Sequence, residues 1–187
     1  RDRSVSRGLG DVYKRQREYR ENSTEDSAFL ATVYDNLSTA YREMERYEDA
    51  IDICTEGLNI RKDIYGKRSL DYAISLNNLA LIYYEMGILN DAADIFSEAL
   101  AIKKETLPEI HGQISIGYFN LGLVYDKLHR DNEALENYRA SMEIDNELEA
   151  YEDVLLTAEY IAEIYERNDM PEDAEAYRTL CSKDDVH

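Results

Sequence analysis

The sequence predicts an all-α chain, a solenoid of antiparallel helix hairpins, on three observations. Tyrosines and alanines recur at a fixed interval: Tyr41, Tyr83 and Tyr125 lie 42 residues apart, as do Ala50, Ala92 and Ala134, with Tyr165 and Ala174 following at 40. Within each interval the apolar residues keep helical spacing. Leu76, Leu79 and Tyr83, for example, fall at i, i+3 and i+7 on one helix face. The composition, 44% apolar and 33% charged, is that of a soluble globular protein, and no apolar run reaches the ~18 residues of a membrane span.

Taken in chain order, the first segment stands apart. Residues 1–16, RDRSVSRGLGDVYKRQ, are basic and aperiodic, and Ser6–Gln16 resembles a translated transposase sequencing adapter. The segment is therefore expected to be an artefactual or disordered head on a chain whose natural N-terminus lies further upstream, which leaves a leader or a preceding effector domain open. Without its five basic and two acidic residues the chain carries 16 Lys/Arg against 38 Asp/Glu, a formal charge of −22. Such a surface repels polyanions, so nucleic acid is not an expected partner.

Residues 17–26 align with the tail helix of a truncated repeat. Four repeats then occupy 27–65, 69–107, 111–149 and 152–183, with a short tail at 184–187. In the second, SLNNLALIYYEMG supplies the first helix. Small Ala80 lets the partner helix approach, Ala92 and Ala99 do the same from the other side, and Phe96 fills the space between. Gly87 or polar residues make the turns, and Asn90, Asp91 and Asn132 are of the types that start helices. One hairpin cannot bury its apolar face alone, and stacked neighbours supply the missing surface.

Large–x–x–large–small–x–x–Tyr, then Ala nine residues on, then an aromatic and another small residue, resembles the tetratricopeptide repeat. The period of 42, with SLNNLALIYYEMG and EALAI, narrows the resemblance to repeats of the kinesin light chain type over residues 27–181. It implies a right-handed superhelix. Compared with the usual repeat of about 34 residues, the extra length is about two helical turns. The last copy departs from the pattern, with Arg178 where Cys54, Phe96 and Tyr138 sit and Cys181 near the last small position, as expected of a terminal repeat facing water. Gly117, inside a helix at a cost of about 1 kcal/mol relative to alanine, has no explanation in the sequence.

Catalytic chemistry is not expected. There is no phosphate-cradling glycine loop, G-x-S-x-G, H-E-x-x-H, C-x-x-C or calcium loop. Most acids fall on polar helix faces, and His111, His129 and His187 do not converge. Cys54 and Cys181 read as buried free thiols of a reducing compartment. The expectation is thus a cytoplasmic non-enzyme with no cofactor, no metal and no membrane association.

The binding expectation rests on a column of asparagines. Asn36, Asn78 and Asn120 recur at 42 and turn away from the partner helix. An amide side chain offers two donors and an acceptor, so such a column can bracket the backbone of an extended peptide, and the resemblance implies that use. The alternative is that each asparagine bonds the helix before it and locks repeat to repeat. Along the same face Ile74, Ile116, Phe119 and Tyr84 make the middle apolar, while Asp35, Glu159, Glu163 and Glu166 place acid toward the ends. The expected ligand is a peptide or protein segment with one or two apolar anchors and basic flanks. Gap-filling between first helices is the other reading of Ile74 and Ile116. A clamp for terminal carboxylates would need Lys and Arg on this face, which carries Ile, Phe, Asp and Glu instead. Two further readings stay open: a structural, self-associating module, or the sensor part of a larger regulator or signalling enzyme.

Overall fold

The computed structural model describes residues 24–183, with side chains described for 25–179. The expected head, most of the 17–26 segment, the 184–187 tail and the Cys181 side chain lie outside the described residues. Every element among the described residues is an α-helix, and the described residues form two compact units, one up to residue 67 and the other from residue 68. The first unit holds α1 (Thr24–Glu43) and α2 (Tyr47–Tyr65). Helix α1 already includes Thr24–Asp26, which the repeat alignment assigns to the element before. The second unit holds α3 (Leu70–Glu85), α4 (Leu89–Thr106), α5 (Gly112–Lys127), α6 (Asp131–Glu147), α7 (Tyr151–Arg167) and α8 (Pro171–Lys183). Its helices pair as hairpins α3–α4, α5–α6 and α7–α8, and α4 packs on α5 and α6 on α7.

One turn recurs at the corner of every hairpin. After α3, the Gly87 N–H donates to the Tyr84 carbonyl at 3.0 Å and the Ile88 N–H to the Tyr83 carbonyl at 2.9 Å, with Gly87 in the left-handed region at φ 78°. This is the Schellman arrangement, which satisfies carbonyls that a helix end otherwise leaves unpaired. The same pair of bonds closes α1 (Glu45 to Arg42, Arg46 to Tyr41), α5 (His129 to Asp126, Arg130 to Tyr125) and α7 (Asp169 to Glu166, Met170 to Tyr165). The tyrosines that mark the repeat therefore hold a fixed place in the turn. In two corners an arginine covers that ring: Arg46 sits 4.6 Å from the Tyr41 centroid and Arg130 4.6 Å from that of Tyr125. Each arginine also pairs with an acid three residues on, Asp49 at 2.7 Å and Glu133 at 2.6 Å.

Helix starts differ from the expectation. Asn90, Asp91 and Asn132 lie within the first turns of α4 and α6, and the residues preceding those helices, Ile88 and Arg130, make no side-chain cap. The turn leads straight into the next helix, so no capping side chain is required there. Side-chain caps occur instead after the longer connectors. The Ser69 hydroxyl accepts from the Tyr72 N–H at 3.2 Å, and His111 Nδ1 accepts from the Gln113 N–H at 3.0 Å. Pro171 opens α8, where a missing N–H costs nothing.

The cores follow a rule of paired sizes. Ser38 meets Cys54 in the first unit, Ala80 joins Phe96 in one cluster of the second, and Gly122 lies under Tyr138 in the next hairpin. As the residue on the second helix grows, the one facing it shrinks. A Cβ on Gly122 would stand 2.5 Å from the ring of Tyr138. Gly117 has a similar cause: its Cβ would come 2.8 Å from Leu100 Cδ1, so glycine there lets α5 close onto α4. Cys54 is buried, and burial pushes its thiol up to about 12, which makes it an inert core residue.

Candidate functional site

Within the second unit, the first helices α3, α5 and α7 present neighbouring faces, linked by side-chain contacts. Asn120 Nδ2 donates to Asn77 Oδ1 at 3.1 Å, joining α5 to α3. Phe119 meets Tyr160 edge-on at 5.5 Å between centroids, joining α5 to α7. Tyr138 of α6 completes an aromatic floor, 5.6 Å from Phe119 and stacked on Tyr160 at 5.5 Å. Its ring is fully buried, and its hydroxyl has no hydrogen-bond partner among the described residues. Burial, with the negative field of Asp126 behind it, drives that hydroxyl far above the ordinary phenol value.

On this floor the apolar side chains stand out. Ile116 is 46% and Leu156 50% exposed, while Ile74 and Tyr84 are half-buried. Lys127 Nζ lies 4.4 Å from the centroid of the Tyr84 ring. Among the acids, Glu159 and Glu166 both face Arg178 of α8, Glu159 at 3.8 Å and Glu166 in direct contact. Arg178 also holds the Glu166 carboxyl below the usual carboxylate range. The arginine that breaks the repeat pattern thus belongs to an exposed ion-pair cluster. Arg167 binds Asp126 at 2.7 Å and Asp131 at 2.5 Å, fixing the end of α7 against the α5–α6 corner.

The asparagine column separates into three environments. Asn36 is exposed on α1 in the first unit, Asn78 is half-buried on α3, and Asn120 is buried with its amide given to Asn77. For Asn120 the repeat-locking role is the one the geometry displays. Asp35 requires a correction. Expected from its register to bring charge into a groove, it is buried in an ion pair with Arg61 of α2, inside the first hairpin. Position along a helix reports the face, but Arg61 reaches across and takes the carboxylate into the core. The sequence reading also missed Tyr160 and Tyr138 as parts of the floor. The signal for Tyr160 was its place 40 residues after Asn120, where the asparagine column would continue.

A pocket of about 180 Å³ opens beside Ile116, Phe119 and Leu156, among α5, α6 and α7. Deeper in, its wall is polar and buried. The Ser115 and Ser141 hydroxyls lie 2.9 Å apart, and Ser141 Oγ donates toward Asp145 Oδ2 at 3.3 Å. Asp145 is 4% exposed, and burial raises its carboxyl above the ordinary value. A wider cleft of about 600 Å³ lies against α4, α5 and α6 near Lys104, Tyr118 and Glu143, and none of the residues expected for peptide binding lines it. No group of three His, Cys, Asp or Glu side chains among the described residues can hold a metal ion. No described helix is long and apolar enough to cross a membrane.

An array of helix hairpins with 42-residue spacing, a recurring corner and a half-apolar first-helix face defines a class of repeat protein. Two family models, each described as a tetratricopeptide repeat, match the chain, one over residues 29–105 and the other over residues 117–148, and the chain belongs to that family. No curated protein matches it. Among solved structures, a kinesin light chain-type protein of Podosopora anserina with nearly identical TPR-like repeats is similar at TM-score 0.74. It is 18% identical, over 83% of this chain and 75% of that one. BtubC (BKLC) from P. vanneervenii is similar at TM-score 0.78 and 20% identity, over 97% of this chain and 77% of that one. Aspartyl phosphate phosphatase F from Bacillus subtilis is similar at TM-score 0.70 and 13% identity, over 84% of this chain and 42% of that one. At these identities the likeness is one of fold.

Proposed function

We propose that this chain is a non-catalytic interaction module that holds an extended segment of a partner protein against the face shared by α3, α5 and α7. The observation that carries the reading is the pair Ile116 and Leu156, large apolar side chains standing half-exposed over an aromatic floor. Single exposed apolar residues are ordinary, whereas neighbouring ones beside a pocket form an anchor site. The tetratricopeptide fold supports a protein-interaction scaffold. With a formal charge of −19 over the chain and Glu163 exposed on α7, the partner segment is one with basic flanks around its apolar anchors. Asn78, half-buried on α3, is the amide best placed to meet its backbone.

The test is a panel of extended peptides, each with an apolar centre and either basic or acidic flanks, titrated against the whole chain and against Ile116→Asp/Leu156→Asp. The reading expects basic-flanked peptides to bind the parent chain and to lose at least about tenfold in affinity, ~1.4 kcal/mol, on the variant. Helical content and melting should stay unchanged. Equal affinity for both chains would sink it. Concentration-dependent self-association with no peptide bound would favour a structural module instead.

A further inference from the structure

We infer that the Asp145 pocket is a subsite for one basic side chain, lysine or arginine, of the segment bound on the first-helix face. This rests on the peptide-binding reading above and adds to it a specific residue type at a specific place. Three observations converge. The first is size: about 180 Å³ is room for one side chain, since a cavity of roughly 150 Å³ holds a single benzene-sized molecule. The second is the gradient of chemistry along the pocket. Ile116 and Leu156 at the exposed rim are apolar, and Ser115, Ser141, Thr157 and Asp145 at the buried end are polar. A lysine or arginine has the same gradient, an apolar stem carrying a cationic, hydrogen-bonding head.

The third observation is an imbalance of charge. Asp35, the other buried carboxylate among the described residues, is neutralised by Arg61. Asp145 has hydroxyl neighbours and no ion pair among the described residues, and a second carboxylate, Asp153, lines the same pocket, which has no lysine or arginine in its wall. A buried carboxylate without a cation costs stability, and a cation entering the pocket relieves that cost. An uncharged apolar side chain would fill the volume and leave Asp145 as it is. An acidic one would add a third negative charge.

Two probes isolate the pocket. In the 187-residue chain, the side-chain carboxyl resonance of Asp145 is followed by carbon NMR while N-acetyl-lysine N-methylamide, or its norleucine counterpart, is added. The lysine probe should shift that resonance saturably and norleucine should not. In Asp145→Asn, the Ser115 and Thr157 amides should no longer respond to the lysine probe. Equal shifts from both probes, or none from either, would overturn the inference. In the second arm, peptides bound by the parent chain have each lysine replaced in turn by norleucine. One replacement should cost about tenfold on the parent and under about twofold on Asp145→Asn. A cost identical on both chains overturns the subsite and leaves the peptide reading standing. If the lysine probe binds but no peptide does, the pocket takes the cation and the peptide reading is what fails.

Discussion

Hairpins α3–α4 and α5–α6 are one design set 42 residues apart, and they differ at several buried positions. Ala80 and Phe96 in the first become Gly122 and Tyr138 in the second. Lys103, buried at 1% exposure with no side-chain hydrogen bond or ion pair among the described residues, becomes Asp145 at the same register. Gly87 at the corner becomes His129, with φ 56°. The comparison teaches that the repeat specifies the outline of each slot and leaves its chemistry to vary, so long as volume and backbone bonds balance.

The largest break should come at the small–large pair. Gly122→Ala drives a methyl into a ring with nowhere to go, and we expect a loss of about 3 kcal/mol, at the top of the overpacking range, read from the urea midpoint. Tyr138→Leu in the same chain should restore part of it. Gly117→Ala should cost less, because its nearest neighbour is the end of the flexible Leu100 side chain. If the two alanines cost the same, close approach is not what selects glycine at position 122.

Next in size is the buried cation. Burial pulls Lys103 down from its ordinary 10.5 to about 8. Below pH 8 the amine is charged whether folded or not, and its burial penalty is present in full. Between about pH 8 and 9 the folded chain sheds a proton from Lys103 that the unfolded chain keeps, so stability rises with pH; from about pH 9 the Cys54 thiol, which ionises in the unfolded chain alone, offsets that rise. Above pH 10 stability falls, since the buried Tyr138 hydroxyl, like the Cys54 thiol, resists ionisation only in the folded state. Lys103→Met should gain roughly 2 kcal/mol at pH 7 and remove the rise between about pH 8 and 9, checked by denaturation across pH.

Two smaller effects sharpen the contrast. His129→Gly should gain about 1 kcal/mol by relieving a left-handed backbone, and Gly87→Ala should lose a similar amount, both measured by melting. Asn120→Ala should cost up to about 1 kcal/mol by leaving the Asn77 carbonyl without its donor, while Asn78→Ala stays within about 0.5 kcal/mol. Equal costs for the two asparagines would mean that the column has one role rather than two.

The hairpins were legible because the tyrosines and alanines recur in phase and because a period of 3.6 residues picks out the buried stripe. The corners were only half legible. Gly87 signals a left-handed residue, but Glu45, His129 and Asp169 adopt the same conformation with no glycine to announce it. The candidate face was legible in Ile116, Phe119 and Asn78, whose register shows the side they occupy. Asp35 misled because register cannot show that Arg61, one helix away, captures its carboxylate. Asp145 and Ser141 passed unnoticed because they sit on a second helix, and only the packing of α5, α6 and α7 makes a pocket beside them. Gly117 needed Leu100, seventeen residues before it, to become intelligible.

The recurring corner has a consequence for how such a gene can change. Its two closing bonds are main chain to main chain, so residues as unlike as Glu45, Gly87, His129 and Asp169 occupy it with one geometry. Each unit carries within itself the groups that end one helix and begin the next. An in-frame duplication or deletion of 42 codons therefore leaves no backbone group orphaned at these corners. Point mutation at a corner alters what the array displays to its surroundings while the hairpin beneath keeps its form.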